Sequence, residues 1–238
     1  MMLTAADRVL VEKLVLANRI LYRQGIVDGF GHVSVRHDRS SSHFLLARNI
    51  APGLVRRDDI LAFDLDGVAV DAHGQRVYLE RFIHAEIYRA RTDVQAVVHS
   101  HSPGVIPLGV ACQSLRPVFH MCGFLGEGAA LFEIRDVAGD TDMLISNGPL
   151  GAALAAALGE RSVVLMRGHG STVVGSSLEQ AVYRAIYAEV NARLQIQATQ
   201  LGEVTFLNAR EAAKAAGMND SQLPRAWELW TREIGVVD

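Results

Sequence analysis

Apolar positions along this chain switch between two periods. Val9, Leu10, Leu14, Leu16, Ala17, Ile20 and Leu21 recur at three- and four-residue spacing, which predicts an amphipathic helix over residues 4–23, with Thr4 as its cap and Gly25 past its end. From Gly29 the period is two. Gly29-Phe30-Gly31-His32-Val33-Ser34-Val35-Arg36 reads as a strand entered through glycines, Phe44–Ala47 as its hairpin partner, and Ile60–Asp64 as a third strand that Val68–Val70 pairs across the Asp66-Gly67 turn. Helical spacing returns over Leu79–Arg91, with Phe82, Ile83, Ile87 and Tyr88 on one face, and a strand follows at Gln95–Val98. Val105–Val110 is a further apolar segment, Val118–His120 reads as a strand and Gly123–Gly128 as a loop. Leu150–Leu158 is an Ala-rich helix, Ser162–Met166 a buried strand and Val173–Val174 a short one. Leu178–Leu201 is a long helix capped by Ser177, and Pro224–Trp230 a short aromatic helix. With no repeat, low-complexity run or linker, this order predicts one α/β domain over residues 1–238, helices flanking a mostly antiparallel sheet.

Composition narrows the functional classes. The 238 residues are 50% hydrophobic and 21% charged, enough for one substantial core. A net charge of −3 with scattered arginines gives no footprint for nucleic acid or an anionic membrane, but leaves room for small anionic substrates. Cys112 and Cys122 suit a reducing compartment and read as core thiols. Met1–Arg8 carries no apolar h-region, and no run of 18 apolar residues occurs, so a soluble, cytoplasmic protein is expected. Lys13 and Lys214 are the only lysines, both expected to face solvent, so Schiff-base catalysis has no candidate and carbanion chemistry would need a metal.

The metal has candidate ligands. His99-Ser100-His101 follows the apolar run Val94–Val98, and Gly168-His169-Gly170 answers it later in the chain. Three neutral imidazoles plus an open position are the pattern of a catalytic divalent-metal site; the plain alternative is histidines that are merely hydrogen-bonded. The turn residues Ser102-Pro103-Gly104 are expected to bend the backbone so that both rings of the pair reach one ion. Glu80 and His84, four apart on the preceding helix, are expected to point the same way, the carboxylate as a fourth ligand or a proton-transfer group, or the two simply as a surface pair.

Gly31-His32-Val33-Ser34-Val35-Arg36, Glu80-Arg81-Phe82-Ile83-His84, Ala96-Val97-Val98-His99-Ser100-His101-Ser102-Pro103 and Leu165-Met166-Arg167-Gly168-His169-Gly170, in that order over nearly the whole chain, resemble the class II aldolase/adducin family. The resemblance implies a three-layer α/β/α fold, a homotetramer, and one divalent ion per subunit, Zn²⁺ or Mn²⁺ with Co²⁺ also suitable. His99, His101 and His169 would be its ligands, with Glu80 as a fourth ligand or as the catalytic acid/base.

Departures from the sugar-phosphate aldolases of that family point to a different substrate. Where those enzymes hold phosphate through an Asn, a Thr/Ser-Gly pair and a Ser-Ser, this chain carries His32, Arg48-Asn49 and Tyr78-Leu79, and Met121 stands after His120 in place of their tyrosine. Arg48 suits a carboxylate and Tyr78-Leu79 a flat, apolar wall, or Arg48 is a solvated loop residue. The stretch Ile83–Gly126 resembles the family's decarboxylases of hydroxylated aromatic and pyridine dicarboxylates. The implied activity is a metal-dependent carboxy-lyase acting on a hydroxy-substituted aromatic or heteroaromatic carboxylate, with Glu80 and His84 catalytic and His32, Ser34, Arg48, Tyr78 and His120 on the substrate. His120 reads as a core or interface residue ahead of a substrate contact. The alternatives are a class II aldolase on a non-phosphorylated substrate and a non-catalytic adducin-like interaction module. The Trp227–Trp230 segment either covers a neighbouring subunit's site or packs on its own core.

Overall fold

A computed structural model describes residues 5–70 and 72–235; the cap expected of Thr4 lies outside them. In chain order the elements are α1 (Ala5–Arg23), β1 (His32–Arg36), β2 (His43–Ala47), β3 (Ile60–Asp64), α2 (Arg81–Ala90), β4 (Ala96–Ser100), α3 (Ile106–Val110), β5 (Ala130–Phe132), α4 (Arg135–Ala138), α5 (Gly148–Leu158), β6 (Val163–Met166), β7 (Gly170–Gly175), α6 (Leu178–Leu201), α7 (Ala209–Ser221) and α8 (Leu223–Ile234). The strands form one seven-stranded sheet in the order β3-β2-β1-β4-β7-β6-β5. Every pairing is antiparallel except β5 with β6.

Helices α1 and α6 cover one face of the sheet and α2 and α5 the other, giving the three layers expected. Strands buried on both faces read as continuous apolar runs: β4 and β6 are buried at every position. Ser177 caps α6 as its sequence suggests, its side chain accepting from the Gln180 amide at 3.1 Å. Such a cap stabilises by about 1 kcal/mol. Trp230 is in the core and Trp227 packs against it, so the C-terminal aromatic helix, longer than its sequence suggests, covers its own domain. No helix among the described residues is long and apolar enough to cross a membrane.

Three expectations need correction. Val118–His120 is not a strand: Phe119 precedes a 3₁₀ segment, His120–Leu125, that also occupies part of the glycine-rich stretch. The extended backbone before it pairs with side chains of α6 in place of another strand. Asn191 Oδ1 accepts from the Val118 amide at 3.0 Å and Asn191 Nδ2 donates to the Arg116 carbonyl at 2.7 Å, while Gln195 does the same for Arg116 N and Ser114 O. The strand missed in the sequence is β5, three residues long with Leu131 exposed, too short for any period to show. Cys112, expected in the core, is exposed, whereas Cys122 is buried.

Candidate metal centre

The site forms where β1, β4 and the β6–β7 turn end together. His32 and His99 are direct cross-strand neighbours in the β1–β4 ladder, and His99 faces Thr172 across the β4–β7 ladder. His169 sits in the tight turn between β6 and β7, its amide donating to the Met166 carbonyl at 3.0 Å. Two glycines make that turn possible. Gly168 has φ +67°, and a Cβ on Gly170 would lie 2.1 Å from the Ser100 carbonyl oxygen. A spacing of two puts His99, inside β4, and His101, one residue past its end, on one side of an extended chain, so the two rings need no bend of the backbone between them to face one ion.

The three rings converge through their Nε2 atoms. His101 Nε2 lies 3.2 Å from His99 Nε2 and 3.1 Å from His169 Nε2, and Glu80 Oε2 lies 3.5 Å from both His99 Nε2 and His169 Nε2. All four ligand atoms fall within 4.8 Å of one another. Ligands about 2.0–2.1 Å from a tetrahedral Zn²⁺ stand roughly 3.3–3.4 Å apart, so these residues fit a divalent ion.

Electrostatics agree with that fit. Burial pushes the Glu80 carboxyl up, but the His99 and His169 rings overcome it and hold the group far below the usual carboxylate range. Burial, then His99 and His169, lower His101 to about 4, leaving the neutral form that can bind an ion. Glu80 Oε1 accepts from the Ile145 amide at 3.0 Å, which aims the other oxygen at the histidines.

Glu80 and His84 do not point the same way. Glu80 precedes α2 with non-helical backbone (φ −86°, ψ 18°), so the four-residue spacing does not put the two on one helix face. His84, fully buried, turns instead toward β1: its Nε2 is 2.7 Å from His32 Nδ1 and its Nδ1 is 2.6 Å from Ser34 Oγ, which is 2.8 Å from the Tyr88 hydroxyl. Ser34 and His84, expected to touch substrate and to act catalytically, therefore stand behind His32 with no exposed surface. No described residue bonds His32 Nε2, which is the free end of this chain and is not among the buried unpartnered atoms.

The other expected substrate contacts divide. The Tyr78 ring packs 4.7 Å from the His32 ring and its hydroxyl donates to the Ile50 carbonyl; burial pushes that hydroxyl up to about 12, against the nearby Arg48 charge. Arg48 follows β2 and donates from Nε to Asp59 Oδ1 at 2.7 Å, leaving both Nη groups without a partner among the described residues. Asp59 Oδ2 in turn accepts from the Arg56 amide at 2.8 Å. His120 is exposed, is not one of the four clustered ligands, and its carbonyl accepts from Asn219 Nδ2 at 2.7 Å. Phe30 was not foreseen. It is 70% exposed, on the turn between α1 and β1, with its ring 6.4 Å from that of His101. Its signal in the sequence is a large apolar residue between two glycines.

This α/β/α sheet brings to its strand ends a His₃Glu cluster that could hold a metal ion. Residues 12–196 match the Class II Aldolase and Adducin N-terminal domain, and the chain belongs to that family. It is 38% identical over 90% of both chains to Decarboxylase tropJ of Talaromyces stipitatus. It is 36% identical to a 3,4-dihydroxyphthalate decarboxylase of Arthrobacter keyseri, over 80% of this chain and 79% of that one. These relatives set it in the family's decarboxylase-like branch. Among solved structures, L-fuculose 1-phosphate aldolase from Glaciozyma antarctica superposes with a TM-score of 0.79 over 98% of this chain and 92% of that one, at 24% identity, which establishes a shared fold.

Proposed function

We propose that this protein is a divalent-metal-dependent decarboxylase of a hydroxy-substituted aromatic carboxylate. The observation that carries the reading is the convergence of the His99, His101, His169 and Glu80 ligand atoms, all within 4.8 Å of one another, beside His32 and Tyr78. The names of the relatives, 3,4-dihydroxyphthalate decarboxylase among them, support the reaction and the substrate class. A bound Zn²⁺, Mn²⁺ or Co²⁺ would supply Lewis acidity that polarises a substrate oxygen.

The chain's own residues do the rest. Arg48, fixed through Nε by Asp59, offers its free Nη groups to a ring carboxylate. Tyr78, its hydroxyl occupied, presents an aromatic face to a flat ring and keeps water from that wall. As the bond between ring and carboxylate carbon breaks, its electron pair stays on the ring, CO₂ leaves, and the ring carbon takes a proton from His32 Nε2, which solvent at that open end of the ring replaces so that His32 stays neutral. Glu80, held ionised between two imidazoles, serves as a ligand and not as that donor. His84, Ser34 and Tyr88 act through His32 by fixing its orientation.

The test is CO₂ release from ortho-hydroxy aromatic carboxylates by metal-replete enzyme. Release dependent on the added ion is expected. Cleavage of hydroxy-aldehydes without CO₂ release would overturn the reading in favour of an aldolase. The same preparation is expected to be a homotetramer by light scattering.

A further inference from the structure

Glu189 lies on α6, 3% exposed, on no strand that forms the candidate centre. Its carboxylate is nevertheless bonded to the segment that follows the His-Ser-His pair. Ser102 Oγ donates to Oε2, and the Gly104 amide lies 2.9 Å from Oε1 and 2.8 Å from Oε2. Arg193, one helical turn on, donates to Oε1 at 2.6 Å and is the only cation the carboxylate meets among the described residues. A Cβ on Gly104 would lie 2.7 Å from Oε1, so the loop approaches the carboxylate as closely as its backbone allows.

His99 and His169 need no such help. His99 is inside β4, paired on both sides, and His169 is held in a tight turn between paired strands. His101 stands one residue past the last β4–β7 pair, Ser100 with Ser171, where the ladder no longer restrains it. The next tether along the chain is the hold of Glu189 on Ser102 and Gly104.

We propose that Glu189 is a positioning residue for the metal ligand His101, clamping the loop behind it so that its Nε2 stays with those of His99 and His169. A charged acceptor suits this task, because hydrogen bonds to a carboxylate are about twice as strong as neutral ones and a buried carboxylate left partnerless is costly. The proposal rests on the metal-dependent reading above, but adds a residue that neither touches the ion nor the substrate.

The experiment uses Co²⁺ as the probe, titrated into metal-free full-length protein in competition with a chromophoric chelator, with the visible Co²⁺ spectrum recorded alongside. Glu189→Gln is expected to weaken Co²⁺ affinity by about 10–100-fold, as loss of outer-shell support does, and to shift the spectrum. Ser102→Ala, which deletes one bond and leaves the Gly104 and Arg193 contacts, is expected to weaken it less and in the same direction; it keeps the test open should Glu189→Gln not fold. A merely structural role predicts a lower Tm of the metal-free variants with Co²⁺ affinity within twofold of wild type and an unchanged spectrum, and that result overturns the proposal. Failure of wild type to bind Co²⁺ would instead overturn the metal-dependent reading itself.

Discussion

His84 Nε2 sits 2.7 Å from His32 Nδ1, so the ring nearest the metal ligands is held from behind by a second, fully buried imidazole. One proton arrangement satisfies all four members: the Tyr88 hydroxyl donates to Ser34 Oγ, Ser34 to His84 Nδ1, and His84 Nε2–H to His32 Nδ1, placing an N–H at His32 Nε2. Replacing His32 with Asn should lower kcat by about 10²–10⁴-fold, the span of general acid catalysis, with metal content unchanged. His84→Leu should lower kcat less, about tenfold, with little change in KM, because the proton donor remains but loses its orientation. Steady-state kinetics with metal analysis of each variant checks both, and an unaltered kcat in His32→Asn would remove it from the reaction.

Arg48 is the residue whose role most depends on what binds. Its Nε is spoken for by Asp59, so only its Nη groups can meet a carboxylate. Charge-assisted bonds of this kind contribute about 1.5–3 kcal/mol, which corresponds to roughly 10–100-fold in affinity. Arg48→Met should therefore raise KM by about that factor and leave kcat within severalfold. Substrates lacking the second carboxylate should show no such rise, which separates loss of a contact from distortion of the loop.

The ligands were legible because they lie in short ordered motifs, His99-Ser100-His101 and Gly168-His169-Gly170, and because strand periodicity places β4 ahead of the first pair. The fold class followed from the same alternation of periods. What stayed hidden depends on contacts between distant segments. Glu80 and His84 look like helix neighbours, yet α2 begins only after Glu80, and its partner Ile145 comes from a loop far along the chain. Asn191 and Gln195 on α6 hold the segment before His120 in place of a strand, and Glu189 on the same helix holds the loop behind His101. None of these long-range polar contacts leaves a periodic trace.

Acid should destabilise the metal-free protein in a defined window. Burial, with the His99 ring, lowers His84 from 6.5 to about 3, so the folded state binds its proton far more weakly than the unfolded chain. The stability this provides is fully present above about pH 6.5 and is lost progressively as pH falls toward about 3. Thermal melts between pH 7.5 and 4 should show Tm declining below pH 6.5, and His84→Leu should flatten part of that decline. An equally steep decline in the variant would assign the effect to other groups.

Removing the ion should be visible in stability as well as in turnover. A ligand at 100 times its Kd that binds only the folded state adds about 2.7 kcal/mol, which for a domain of this size is roughly 5–10 °C in Tm. Chelation should therefore abolish CO₂ release and lower Tm by that order, and added Zn²⁺, Mn²⁺ or Co²⁺ should restore both. Glu80→Ala should bind the ion more weakly and also free the Ile145 amide it anchors, so its Tm should be lower than wild type even without metal.

Gly170 offers a test of how tightly the His169 turn is pressed against the neighbouring strand. A methyl group there would stand 2.1 Å from the Ser100 carbonyl oxygen, 3.0 Å from its carbon and 3.1 Å from the His101 Cα. All three are backbone atoms, so no side chain can swing aside, and the β4–β7 ladder that pairs Ser100 with Ser171 must part instead. Gly170→Ala should cost on the order of 3 kcal/mol and weaken metal binding, since the atoms displaced belong to the segment carrying His99 and His101. Gly29→Ala, at a glycine with no atom within 4 Å of its added Cβ, should change stability by only a few tenths of a kcal/mol. Denaturant unfolding of the two variants side by side checks the contrast, and equal stabilities would show that the strands can separate at His169 without cost.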